Sequence, residues 1–354
     1  MKKIGKLLGL GLLAGLLVLL VLIAIPVDPT IPGMASRDGG AFWDMDGGYR
    51  IAHVHVKAQG SASGAPIVVL HGGPGGYIHS SYTETFGRLS QLGRDVFLYD
   101  QVGSGLSDRL PNPKDYTFLG HAADLVEIVE EHIAQGPVVL VGQSYGGKLA
   151  SYFMATHPGL VESAILVSPG GIEPPLFDES GAWVNEVRYP VPDSLVFRPP
   201  RERVAEMGLS AWPVRAIASV ALATTFNVKL MPDTEADGVL NSIATRITRN
   251  MVCDPEAVQP EEGGGGFYSH GWSNWYGGVD DWRQPLSESP VPLLVVQGAC
   301  DYLPFSATYE HAALAPLGRY VFVTDAGHVI WWEQPAVLVE TLSRFIDGEQ
   351  TSTP

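Results

Sequence analysis

A serine, an aspartate and a histidine are the residues whose order and surroundings suggest chemistry. Ser144 sits in Gly142-Gln143-Ser144-Tyr145-Gly146, after the apolar run "VVLV" and before a helical-looking stretch. G-x-S-x-G at a strand-to-helix turn exposes a serine side chain at the carboxyl end of a sheet. The two glycines are expected because side chains there would collide with neighbouring backbone. A helix starting at the serine aims N–H groups and the positive end of its dipole at an oxyanion. A serine hydroxyl is a poor nucleophile until a base takes its proton, so an acid and then a histidine should follow downstream. Asp301 closes the strand-like "LLVVQGACD", and His328 lies in the loop after "YVFVTDAGH". The 27 positions between them fit one crossover helix and one strand.

Rival groups have plainer readings. Asp325 shares the histidine's own loop and reads as a turn former. Glu333, just before Pro335, reads as serving a helix N-terminus. Of the ten histidines, only His328 occupies the loop after the last strand-like run. His53 and His55 fall on an early strand, where a solvated position is expected, and His121 and His132 fall on a helix. Acyl transfer also needs an oxyanion hole: one N–H from the residue after the nucleophile and one from an earlier strand's loop. Tyr145 and Gly73, the latter in "VVLHGGPGG", are those donors. No G-K-[ST] follows that loop and no G-x-G-x-x-G opens a helix, so nucleotide binding is not expected. Neither cysteine has a C-x-x-C neighbourhood, so no metal site is expected, and the chemistry requires no organic cofactor.

These residues need a scaffold that delivers them to one edge. "YRIAHVHVKA" alternates like a half-buried antiparallel strand, whereas "PIVVLH", "DVFLYD", "PVVLVG", "SAILVS" and "VPLLVVQG" are short continuous apolar runs suited to strands buried on both faces. "GHAADLVEIVEEHIAQG" reads as a helix stopped by Gly136. Strands alternating with helices imply an α/β fold, a mostly parallel sheet with helices on both faces. The pattern breaks over residues 171–284, a Pro-rich stretch carrying Trp183, Trp212, Trp272, Trp275 and Trp282, five of the chain's eight tryptophans. This reads as an inserted, largely helical cap with a mobile "GGGG" at residues 263–266. The core is expected at 45–170 and 285–348, with a tail at 349–354.

The 354 residues, 45% of them hydrophobic, suffice for one large domain with an insertion. A net charge of −16 with no basic stripe beyond the N-terminus argues against a nucleic-acid partner. Residues 7–25 form an uncharged apolar run that would span roughly 28 Å as a helix, close to a bilayer core. Residues 1–26 therefore read as a cytoplasmic stub and a single-pass membrane anchor, a partner surface in itself. Lys2, Lys3 and Lys6 place the catalytic domain outside the cytoplasm; a cleaved signal peptide is the alternative. Residues 27–44 read as a linker. Cys253 and Cys300 could pair in the oxidising compartment that an extracytoplasmic placement implies, but two separate buried thiols are the favoured reading, since spacing alone does not establish a bond.

The chain resembles the α/β-hydrolase superfamily and, within it, the proline iminopeptidase-like serine peptidases, over roughly residues 45–348. The resemblance rests on "HGGPGG", "DQVGSGLSD", "GQSYGG", "GACD" with Asp301, and "GH" with His328. It implies Ser144, Asp301 and His328 as a catalytic triad, loop and elbow amides as the oxyanion hole, and a cap over the site. Three departures stand out. Val102 occupies a position where the group usually carries Arg, and Tyr145 one that is often Trp. The W-x-x-W-E cap pattern that supplies an acid for the substrate amine has no match, leaving Glu173, Glu186, Glu202, Glu206 and Glu235 as available acids. The expected function is a membrane-anchored serine hydrolase, an aminopeptidase acting on short peptides. A carboxylesterase or lactonase acting on small apolar esters is the alternative, and a binding protein that has lost catalysis is a third reading.

Overall fold

The computed structural model describes residues 13, 15, 17–61, 64–133, 136–192, 212–272 and 279–349. Eight strands make one sheet in the order β1-β2-β4-β3-β5-β6-β7-β8. They are β1 (Gly40–Asp44), β2 (Arg50–Val56), β3 (Ile67–Leu70), β4 (Val96–Tyr99), β5 (Val138–Gln143), β6 (Val161–Val167), β7 (Leu293–Gly298) and β8 (Gly318–Val323). β1 and β2 pair antiparallel, β2 joins β4 antiparallel, and every pairing from β4 through β3 to β8 is parallel.

The continuous apolar runs form strands covered on both sides. Val68, Leu70, Val138 and Leu140 pack on one face with Leu149 and Phe153 of the helix Tyr145–Thr156. Ile67, Val69, Val139 and Val141 point the other way, toward Phe86, Leu338 and Leu342. This is the two-residue period of a strand divided between two helical layers. The helix Phe118–Glu127 lies on the first face and continues as a π-helical turn over Ile128–Ile133. Between β6 and β7 the described chain is helical, with Val214–Phe226, Asp233–Thr248 and Phe267–Trp272 sharing their own apolar cluster.

Several expectations are corrected. Among the described residues no helix is long and apolar enough to cross a membrane. Residues 13, 15 and 17–24 are helical. The transmembrane helix, the membrane partner and the extracytoplasmic placement are therefore not carried by the structure; residues 1–12, 14 and 16 of the expected anchor lie outside the described residues. Residues 40–44, read as linker, form β1, whose Trp43 stacks on His53 at 3.8 Å and buries it. Of the two readings of Cys253 and Cys300, the structure carries the disulfide rather than the favoured pair of separate thiols.

The glycine run at 263–266, expected to be mobile, is a buried strap. Gly264 O accepts from Gly105 N at 2.6 Å, and Gly266 N donates to Gly75 O at 2.8 Å. A Cβ on Gly266 would lie 1.9 Å from Gly103 O, so only glycine permits this approach. The strap thus ties the "HGGPGG" loop to the "DQVGSG" loop. The chain ahead of β1 is tied in as well: Val27 N donates to Glu235 at 2.8 Å, and Arg37 reaches Asp100 with both terminal nitrogens, at 2.9 and 3.0 Å. Asp100 is fully buried and also accepts from Ile78 N at 2.8 Å and Leu106 N at 2.9 Å. One carboxylate therefore holds three chain segments. Removing the cation would leave that charge buried without a counter-charge. Arg37→Ala is expected to lower unfolding free energy by about 3 kcal/mol in urea titrations, and a loss below about 1 kcal/mol, the level of an exposed pair, would contradict this assignment.

Candidate active site

The elbow follows from crowding. Ser144 leaves β5 at φ 53°, ψ −114° and the helix Tyr145–Thr156 starts immediately after it. A Cβ on Gly142 would come within 2.2 Å of Gly146 O, and one on Gly146 within 2.3 Å of Leu70 O. The helix can pack this close to β3 and β5 only without those atoms, and a non-glycine residue at positive φ stores roughly 1–3 kcal/mol of strain. Ser144 N donates to Val167 O at 2.9 Å and Ser144 O accepts from Lys148 N and Gly170 N, which fix the turn.

Asp301 follows β7 and His328 follows β8, and the structure brings them together. His328 Nδ1 lies 2.9 Å from Asp301 Oδ1, with both side chains almost wholly buried. Asp301 Oδ1 also accepts from Leu303 N at 2.9 Å, which aims the carboxylate. An Nδ1–H donated to the carboxylate leaves Nε2 with the lone pair. Tyr302 packs its ring 4.7 Å from that of His328. Asp325, the rival acid, is exposed at φ 55° in its turn and makes no contact with the imidazole among the described residues. Glu333 does not cap a helix; it accepts from Gly327 N at 2.7 Å and Asp254 N at 2.8 Å.

Ser144 is adjacent to both partner loops. A Cβ on Gly72 would be 3.0 Å from Ser144 Cβ, so the glycine loop carrying Gly73 lies against the elbow. Gln143 Nε2 donates to His328 O at 3.4 Å, joining the elbow to the histidine loop. No hydrogen bond joins Ser144 to His328 among the described residues; such contacts commonly tighten only with substrate bound. Tyr145, the second proposed donor, opens the helix, and its hydroxyl is 2.8 Å from His121 Nδ1. His71 holds the other loop: its Nε2 accepts from Gln101 N at 2.9 Å while Nδ1 donates to Gly72 O at 2.8 Å.

A cavity of about 500 Å³ opens beside these loops. Gly73, Gln143, Tyr82, Trp331, Leu240 and Met251 are among the residues that line it, and the lining is mostly apolar. It reaches the glycine loop and the residue before Ser144 rather than Ser144 itself. Sequence reasoning missed Gln143 and Trp331. Their only signal is adjacency, to Ser144 and to the loop after His328. Of the cap tryptophans, Trp282 is buried against Phe118 and Trp212 packs on Phe267, so both serve packing; the Trp272 side chain and Trp275 lie outside the described residues.

A hydrolase family model, described as alpha/beta hydrolase fold, matches residues 65–335. The chain belongs to that family. It is 28% identical over 296 residues to a proline iminopeptidase of Lactobacillus crispatus (strain ST1), covering 80% of this chain and 90% of that protein. It is 25% identical over 285 residues to a proline iminopeptidase of Saccharolobus solfataricus, covering 79% and 84%. The esterase RhEst1 from Rhodococcus sp. ECU1013 superposes with a TM-score of 0.54 at 19% identity, covering 88% of this chain and 100% of that one, which is a likeness of fold. The sequence resemblance to the proline iminopeptidase-like group is thereby borne out, and the chain is an α/β hydrolase.

Burial sets the acid response of this region. Desolvation first of all lowers His53, His71, His121 and His311 from 6.5 to about 4. Each is neutral when folded and takes a proton near 6.5 when unfolded, so stability is lost as pH falls from 6.5 toward 4. Asp124 opposes this, because desolvation raises it to about 7 and its contribution weakens as pH rises. Four groups outweigh one. Thermal unfolding should shift to lower temperature on acidification from pH 6.5 to 4.5, and a midpoint that stays level or rises would contradict the buried neutral imidazoles.

Proposed function

We propose that this chain is a serine hydrolase that works through an acyl-enzyme, with Ser144 as nucleophile, His328 as general base and acid, and Asp301 as the group that orients the imidazole. The observation that most supports this reading is the buried 2.9 Å contact between His328 Nδ1 and Asp301 Oδ1 beside a strained serine elbow. In the proposed cycle His328 Nε2 takes the Ser144 hydroxyl proton as Oγ adds to the substrate carbonyl. The Gly73 and Tyr145 amides receive the charge on the carbonyl oxygen. The tetrahedral adduct collapses, the bond to the leaving group breaks, and His328 returns the proton to it. Water, deprotonated by His328, then releases the acid and restores Ser144.

The substrate class we infer is a peptide with a free N-terminal residue, proline among them, on the strength of the iminopeptidase relatives. An aminopeptidase must neutralise the substrate's ammonium group. Glu173 and Glu235 already pair with Lys148 at 2.9 Å and Arg215 at 2.7 Å, Glu186 is exposed, and Glu202 and Glu206 lie outside the described residues. Glu261 suits the task better. It lines the cavity, accepts from Tyr77 Oη at 2.6 Å and Gly263 N at 3.0 Å, and meets no Lys or Arg among the described residues. The mostly apolar walls support the second reading, a carboxylesterase or lactonase taking a small apolar ester.

Paired assays separate the two. Proline anilide should be hydrolysed, and Ser144→Ala should lose about 10⁴-fold or more in kcat. Glu261→Gln should raise KM for the anilide roughly tenfold more than KM for nitrophenyl acetate, the loss expected of one charge contact. Turnover of esters with none of the anilide would favour the esterase reading. A Ser144→Ala variant running at the wild-type rate would remove both.

A further inference from the structure

The loops carrying Asp301 and His328 are held by a segment that belongs to neither. Residues 251–254 follow the cap helix Asp233–Thr248, and four contacts bind them to the two loops. Met251 O accepts from His328 N at 2.6 Å. Gly327 is pressed against the same segment, since a Cβ there would come within 2.3 Å of Met251 O and 2.6 Å of Val252 Cα. Glu333 bridges from the other side, one carboxylate oxygen on Gly327 N at 2.7 Å and the other on Asp254 N at 2.8 Å. The Cys253–Cys300 disulfide completes the ring, joining positions 47 apart and ending one residue before Asp301. None of these groups reaches a reacting atom, yet each fixes backbone within two residues of the acid or the histidine.

We propose that residues 251–254, Glu333 and the Cys253–Cys300 disulfide form a clamp that positions His328 against Asp301, and that reducing the disulfide opens it. The inference rests on the reading of Asp301 and His328 as the orienting acid and the base. Two side chains on separate loops act together only if their backbones are registered to a fraction of an ångström. A carboxylate receiving two backbone N–H groups makes strong charge-assisted bonds; glutamine would offer one acceptor oxygen and set an NH₂ against the second amide. Cys253 is only half-buried, so a small dithiol can reach it. The dithiol supplies two electrons and two protons, the S–S bond breaks to two thiols, and the reductant departs as its cyclic disulfide. The cap segment then loses its covalent tie to the acid loop and keeps only its hydrogen bonds to the histidine loop and Glu333.

The test uses the full chain, with whichever of proline anilide or nitrophenyl acetate the wild type turns over. Dithiothreitol should lower kcat roughly tenfold to a hundredfold, the cost of a small misplacement, with KM within about twofold, and reoxidation should restore it. The double variant Cys253→Ser with Cys300→Ser should sit at the reduced level and ignore the reductant. Glu333→Ala should show the same kcat-selective loss and Glu333→Gln a smaller one; the glutamine variant also serves if alanine prevents folding. Amide exchange at His328, read by mass spectrometry, should accelerate in the reduced and Glu333 forms while β5 amides keep their protection. Unchanged kcat and unchanged His328 exchange in those forms would overturn the clamp. If the wild type shows neither hydrolysis nor labelling by a fluorophosphonate, the acid–base reading falls, and the exchange measurement still decides whether the clamp holds the loop.

Discussion

The crossing of the helix Tyr145–Thr156 over the ends of β3 and β5 is the constraint on which the site depends. Because Gly146 rests on Leu70 O and Gly142 on Gly146 O, the chain must reverse within one residue, and that residue is Ser144 at positive φ. The same approach brings the loop after β3 onto the elbow. A looser packing with a Cβ at either glycine would move the helix away, relax the serine toward ordinary geometry and separate it from the glycine loop together. Strain at Ser144 is therefore maintained by the core beneath it, where Leu149 and Phe153 are fully buried.

Around that crossing the loops are bound to one another more than to solvent. Asp100 ties the loop after β3 to the loop after β4 and accepts Arg37 from the chain ahead of β1. The strap at residues 263–266 clasps the same two loops from the cap side. On the far side, residues 251–254 bind the loops after β7 and β8. The chain between β6 and β7 is thus part of the site's framework. Two of its segments are built into the backbone that sets the relative positions of Gly73, Asp301 and His328.

How much of this the sequence carried depends on the range of the interaction. Strand runs such as "PVVLVG" and the elbow motif are local patterns, with period and turn chemistry contained in a few residues, and they appear as β5 and its helix. The pairing of Asp301 with His328 was legible because both follow apolar runs that become neighbouring strands β7 and β8. Contacts across long separations were not. Nothing near Arg37 announces Asp100, 63 positions away. Nothing near Cys253 announces Cys300, and Glu333 reads as a helix starter until Gly327 and Asp254 are seen on it. Residues 263–266 misled for a physical reason: four glycines signal freedom in an isolated chain, but here they permit backbone contact too close for any side chain. The apolar run at residues 7–25 reads as a bilayer span from its composition alone, whereas among the described residues no helix is long and apolar enough to cross a membrane.

The proposed covalent chemistry at a single oxygen draws its support from the hydrolase family, the buried acid–histidine pair and the strained serine. The most direct measurement is the site of covalent capture: reaction of the full chain with a fluorophosphonate, digestion, and fragment mass analysis of the adduct. The account predicts one phosphonyl group, on the peptide containing Ser144 and on that residue within it, with capture suppressed in His328→Ala. An unmodified Ser144 peptide in protein that is turning over substrate, or an adduct at another residue, would contradict it.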